Sequence, residues 1–227
     1  MNYFEIIKKV AVSPGINLKE PQGFDTIDPQ INKIKIAINQ ALKSICSCWD
    51  WNFKIRKTAI QVVPGTKDYS GVNGKITNIY YEKDSDTSIE LVFNPDLQVA
   101  EESGTPYSYG IGFENIVLTP VPTEAGNLAV YYLTDNLAMA DDLLTEKAEL
   151  ELATDVPIIP EKFQDLIIYK AVLNFFSRPS KKEYPYYLAQ YCERLVQAKT
   201  DDKGSLENTS SIEISGRQQF NKRFGRL

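Results

Sequence analysis

From Phe163 to Phe176 the chain is apolar at 163, 166–169, 171–173, 175 and 176. At about 100° per residue these positions surround a helix axis, and Gln164, Asp165, Lys170 and Asn174 share no common side. Such a helix must be covered all round, by the rest of the chain or by a neighbouring subunit. Pro160 suits the first turn, where its missing N–H is not needed and its fixed φ helps. Pro179 disfavours helical geometry at Arg178 and ends the segment.

The helix that follows is of another kind. Tyr184, Leu188, Tyr191, Leu195 and Ala198 recur at 4-3-4-3 spacing, with Tyr187 and Cys192 beside them. That is a single apolar seam with charge outside, suited to a partner helix. After Lys199, the run Thr-Asp-Asp-Lys-Gly-Ser is expected to break it.

Upstream, Tyr3 to Val12 reads as a short helix stopped by Ser13-Pro14-Gly15. Asp28-Pro29 supplies an N-cap and a first-turn proline. Ile31, Ile34, Ile38, Ala41, Leu42, Ile45 and Cys48 then predict an amphipathic helix over 29–48, ending at Trp49-Asp50-Trp51. From Phe53 the period shifts to alternation. Six short strands are predicted, at 53–63, 76–82, 88–93, 107–110, 115–118 and 128–133, separated by turn-forming residues. Asp96 to Glu102 reads as one short helix. Residues 134–157, the most acidic part, read as a solvated linker or edge strand.

The expected architecture is α+β. Residues 1–52 and 158–201 form a helical body, an N-terminal helix plus a C-terminal helical hairpin. Residues 53–157 form an inserted antiparallel β domain, and 202–227 an extended C-terminal tail. At 227 residues and 43% hydrophobic content the chain has core enough to fold without staples. It has no run of eighteen apolar residues and no charged-then-apolar leader, so neither a membrane span nor a signal peptide is read.

Little in it suggests catalysis. Histidine is absent, which removes the commonest general base and metal ligand. Cys46-x-Cys48 lacks zinc-knuckle spacing and a second pair, and Cys192 has no evident base. All three cysteines are expected as free thiols on buried helix faces, as suits a reducing cytosol. Asp84/Asp86 and Asp141/Asp142 lie in turn-like, solvated stretches that leave a carboxylate's pKa ordinary, which argues against an acid/base hydrolase. Gly110-Ile-Gly112 is a turn, not a phosphate loop. No catalytic residue, metal site or cofactor is assigned. Trp49 and Trp51 read as structural anchors of the helix-to-strand junction, together with Pro160. An alternative has them join Tyr107 and Tyr109 as a glycan-stacking face, on a β-sandwich module carried by a helical stalk.

Charge is uneven. Net charge is −5, yet Gly216 to Leu227 holds four basic residues and no acidic one. The remaining 215 residues carry 21 basic against 30 acidic, or −9. The tail combines Ile212 and Ile214 in alternation, Phe220 and Phe224 four apart, and Arg217, Lys222, Arg223 and Arg226. It has too few apolar residues to fold alone, so these eight are read as a surface that orders on a partner.

The order of parts resembles the head-to-tail adaptor proteins of tailed bacteriophages. It runs from Trp49-x-Trp51 through Gly65-x-x-x-Tyr69, Gly104-x-Pro106-x-x-Tyr109, Pro120-x-Pro122 and Tyr131-Tyr132 to Ile159-Pro160, an Ala171-containing helix and a tyrosine-rich partner helix. The likeness spans about residues 28 to 200. It departs where Tyr69 is followed by Ser70-Gly71 in place of leucine-proline, and in the long acidic stretch 134–157. The resemblance implies a structural virion protein of the head–tail neck, assembled in the host cytoplasm. Its copies would form a ring, typically of twelve, between the portal protein and downstream tail proteins. Genomic DNA would pass through without specific binding, and neither cofactor nor membrane is involved.

Overall fold

The computed structural model describes residues 1–25, 28–83, 87–96, 102–112, 115–176 and 179–209. Among the described residues, four helices and several mostly antiparallel sheets make it α+β. Helix α1 (Tyr3–Ala11) opens with a capping box: the Asn2 side chain accepts the Glu5 N–H at 2.9 Å, and the Glu5 carboxylate accepts the Asn2 N–H at 3.0 Å. Helix α2 (Pro29–Ser47) has Asp28 as N-cap, accepting the Gln30 N–H at 2.8 Å, with proline in the first turn. Its predicted stripe is the buried one: Ile31, Ile34, Ile38, Ala41, Leu42 and Ile45.

Helix α3 (Asp165–Phe176) packs against α1, α2 and α4 (Tyr184–Thr209). No residue from Phe163 to Phe176 is exposed; each is buried or half-buried within one copy of the chain. The all-round cover that the sequence demands is thus largely internal. Pro160 caps a 3-10 turn, Glu161–Phe163, and the α-helix proper begins only at Asp165. There Gln164 is held back by donating to the Ile159 carbonyl at 3.1 Å.

The expected break after Lys199 does not occur. Helix α4 continues to Thr209, because Asp202 has a long-range task that local propensity does not encode. The rest of the predicted tail, 210–227, lies outside the described residues, as do Asp84, Asp86 and 97–101 of the predicted helix at 96–102.

The strands in chain order are β1 (Ile55–Val62), β2 (Asp68–Ser70), β3 (Gly74–Glu82), β4 (Ser88–Glu90), β5 (Val92–Phe93), β6 (Ser103–Gly104) and β7 (Ser108–Ile111). They continue as β8 (Asn115–Thr119), β9 (Val121–Pro122), β10 (Gly126–Thr134), β11 (Ala138–Met139), β12 (Glu146–Lys147) and β13 (Val156–Pro157). All six predicted strands are present, the third interrupted at Leu91. One sheet runs β1-β10-β3-β4 and another β2-β8-β7-β5. Their facing residues, among them Val62, Tyr69, Ile79, Tyr109, Ile116, Leu118, Leu128 and Val130, form one apolar cluster. Pairing is antiparallel except at β5–β7 and the small β6–β9 ladder, which are parallel. Gly74 has φ +155°, and a Cβ there would collide with the Leu133 carbonyl oxygen, so glycine lets β3 start tight against β10.

Residues 134–157 differ from expectation. They form a three-stranded sheet, β12-β11-β13, and bury Ala138 and Leu150 in the helical cluster. The acidic residues are partly building material. Glu146 accepts from the Arg56 guanidinium, from the Thr134 hydroxyl at 2.8 Å and from the Asn136 amide at 3.0 Å. Asp155, fully buried, pairs with Lys147 at 2.8 Å and accepts the N–H groups of Glu151 and Leu152, each at 2.8 Å. Burial raises both pKa values, but these hydrogen bonds outweigh it and hold each carboxyl below its ordinary range.

Candidate assembly site

The helix-to-strand junction is the best-built locus on the molecule. Trp51 is buried, stacks on Phe53 at 5.3 Å and donates its indole N–H to the Ile45 carbonyl at 2.8 Å. Trp49, half-exposed, donates to the Asp202 carboxylate at 3.2 Å. Asp202 also accepts the Asn52 backbone N–H at 3.1 Å, while the Asn52 amide donates to the Asp202 carbonyl at 2.7 Å. Lys199 and Lys203 set their ammonium groups over the Trp49 ring, at 5.1 and 4.9 Å. Asp202 was missed from sequence because its partners lie some 150 residues away.

Beside this junction, α2 and the feet of β3 and β10 enclose an open groove of about 940 Å³. Its lining mixes both charges: Lys43 of α2, Lys54 and Asp50 of the junction and Lys75 of β3 stand with Asp135, Glu149 and Glu151, and Ile36 of α2 adds an apolar side chain. Lys54 is only 8% exposed and makes no ion pair or hydrogen bond through its side chain among the described residues. No sequence pattern announces this groove, since five separate segments build it.

The remaining predicted residues disperse. Tyr109 is 5% exposed and Trp51 1%, so neither can stack on a sugar, and Tyr107, exposed, stands without them. The glycan-stacking face therefore does not exist as drawn. Asp141 and Asp142 are exposed at a hairpin turn, where hydrogen bonds from the Thr145 and Leu144 N–H groups and the Thr145 hydroxyl lower the Asp142 pKa. A general acid needs the opposite shift. Cys46 is buried and its thiol is pushed up to about 12 by burial, but Cys48 and Cys192 are exposed, contrary to the expectation for all three. Cys48 follows the last turn of α2, and Cys192 lies off the buried seam of α4. Ile212, Ile214, Arg217, Phe220, Lys222, Arg223, Phe224 and Arg226 lie outside the described residues. Among the described residues no acidic or cysteine cluster has metal-binding form, and no helix is long and apolar enough to cross a membrane.

A family model described as SU10 adaptor protein matches residues 1–212. The chain belongs to that family, which makes it a bacteriophage adaptor protein and a virion component. Adaptors of this kind are structural and not typically enzymatic. No curated protein matches the chain.

Proposed function

We propose that this protein is the head-to-tail adaptor of its virion: copies of it form a ring that joins the portal to the tail and prolongs the DNA channel. The observation that carries this reading is the family match across residues 1–212, nearly the whole chain. Two physical features support it. One copy covers its own α3, so a subunit can fold before it assembles and keep its outer surfaces for neighbours. The first 215 residues carry −9, and a negative wall repels phosphate, so DNA slides without lodging.

The basic, phenylalanine-bearing segment 210–227 is the proposed portal contact, through Ile212, Ile214, Arg217, Phe220, Lys222, Arg223, Phe224 and Arg226. The free protein is expected as a monomer or small oligomer, and as a ring when portal rings are added. Sedimentation with electron microscopy of the mixture tests this, and an unchanged species with and without portal overturns it. Removing 210–227 should leave melting unaltered and abolish portal binding; full binding by the truncated chain would remove the tail from this role.

A further inference from the structure

Hydrogen-bond directions across the sheet β1-β10-β3-β4 show what its two outermost strands leave open. The Leu91 N–H donates to the Ile79 carbonyl at 2.9 Å, so Ile79 bonds toward β4. In an antiparallel ladder successive residues bond to alternate sides. Tyr80 therefore bonds toward β10 at Ala129, and Leu128 and Val130 bond toward β1 at Ile60 and Thr58. Lys57, Ala59 and Gln61 are left with their N–H and C=O groups pointing away from the sheet. Among the described residues none of these N–H groups has an acceptor. The residues at either end of the run agree: the Ile55 carbonyl accepts from Arg56, and the Val63 N–H donates to the Tyr69 hydroxyl, both partners outside β10.

β1 is a long edge to leave bare. It runs eight residues without proline, glycine or a register shift against β10, so the usual devices that blunt an edge are missing. Its charges do not cover it either. Lys57 leans inward over the sheet, its ammonium 5.4 Å from the Tyr131 ring and 3.9 Å from the Glu82 carboxylate, and Arg56 is held by Glu146. Ala59 between them and the strand's end is exposed. At the other end of the sheet, β4 meets β3 through Ile89 and the adjoining Leu91, which leaves the Glu90 backbone facing outward.

We propose that β1 of one subunit pairs with the β4 edge of the next copy, so that this sheet continues from subunit to subunit around the ring. Three features select a second copy as the occupant. The sheet has four strands, each antiparallel to its neighbour, so β4 of a like-oriented copy arrives antiparallel to β1. The pleat matches too. Lys57, Ala59 and Gln61 stand exposed on the outer face, as does Glu90, which accepts from the Asn78 side chain at 2.9 Å. Ile60, Ile89 and Leu91 lie on the inner face, in the β cluster. Joining the outward-bonding residues therefore keeps apolar side chains inside on both copies, where a slip of one residue would turn a whole set out. Last, the two edges differ, so the contact is head-to-tail and propagates, whereas β1 on β1 would stop at a dimer. This inference rests on the ring reading above.

The test places Ala59→Cys and Ser88→Cys on separate chains, each also carrying Cys48→Ser and Cys192→Ser, with Cys46 left buried. The two are mixed with portal rings and treated with a short bis-maleimide. A cross-linked pair containing one of each chain is expected, and none when Asn127→Cys on the central strand β10 replaces Ala59→Cys. Ala59→Cys linked chiefly to itself or to portal protein overturns the pairing. Ala59→Pro removes an outward N–H and no bond to β10, so melting should stay near that of wild type. The concentration needed for ring formation should rise about ten-fold or more. Ala59→Val should assemble normally. Wild-type assembly by a folded Ala59→Pro sinks the proposal, and if that variant melts early the cross-link decides alone. If the wild-type chain forms no ring on portal at all, the ring reading fails and takes this inference with it; rings without the β1–β4 link remove the inference alone.

Discussion

The helical and β regions of this molecule solve the same problem with different margins. Among the described residues, the helical cluster gathers 25 buried apolar residues from α1 to α4, the junction and the β11–β13 sheet, whereas the β cluster holds ten, drawn from two facing sheets. Both carry exposed apolar residues at their edges, Val12, Ile36, Tyr186, Leu188 and Val196 on the helices and Val63, Val92, Phe93, Tyr107 and Ile111 on the sheets, so what separates them is the size of the core. A side chain deep in a large core is ringed by packed neighbours that cannot shift to fill a void, while one in a small core lies nearer a surface that can relax into it. Rigidity should therefore reside in the helices. Sheet margins that relax are the better place for surfaces that adjust to neighbours.

Matched cavities test this most sharply. Leu166 in α3 and Leu128 in β10 are both fully buried. Leu166→Ala is expected to cost about 4 kcal/mol and Leu128→Ala about 2.5 kcal/mol, the gap reflecting how far each site can collapse. With about 2–4 °C per kcal/mol for a chain of this size, the melting temperatures should fall by roughly 8–16 °C and 5–10 °C. Equal costs measured by thermal or urea melts would break the comparison.

The acidic sheet between the two regions gives the next effect. Asp155→Asn leaves Lys147 without its counter-charge beside the helical cluster, and about 3 kcal/mol should be lost at neutral pH. The sign of the pH dependence follows from the shift. The folded-state pKa of Asp155 lies below its ordinary 3.8, so its stabilisation is complete above that value and disappears as pH falls through the lower, folded one. Glu146 acts in the same direction from 4.5 downward. Melting of wild type against Asp155→Asn across pH 7 to about 2 should converge at the acid end. A gap that stays constant with pH would mean that the charge of Asp155 is not what stabilises this sheet.

How much of this was legible beforehand depends on the range of the physics. The stripe of α2 and the encircled α3 are written in local periodicity, as are the long strands β1, β3 and β10, and these emerge where expected. β11, β12 and β13 have two residues each, too few for any alternation to register, and their stability comes from Arg56 and Lys147 reaching carboxylates in a run that reads as solvated. Tyr69 was visible as a motif residue, but its strand was not, since three residues carry no period. The groove is a product of packing among α2, the junction, β3, β10 and residues 148–151, so only the folded chain displays it.

The smallest effect probes where the helical region fastens its own C-terminal arm to the start of the β region. Local propensity would end α4 near Thr200, because adjacent aspartates and a glycine favour solvent and turns. What keeps it helical is Asp202, 7% exposed, which accepts from the Trp49 indole and the Asn52 backbone and fixes this turn on the junction. Asp202→Ala strands two partly buried donors and should cost about 1–2 kcal/mol. Asp201→Ala, one residue earlier and exposed, should stay within about 0.5 kcal/mol of wild type. Amide exchange would report more than melting does: residues 200–209 should lose protection in Asp202→Ala while α2 and α3 keep theirs. If protection falls equally in α3, the arm is part of the helical core and not a strap laid across the junction. If it falls nowhere, α4 holds itself together and Asp202 is incidental.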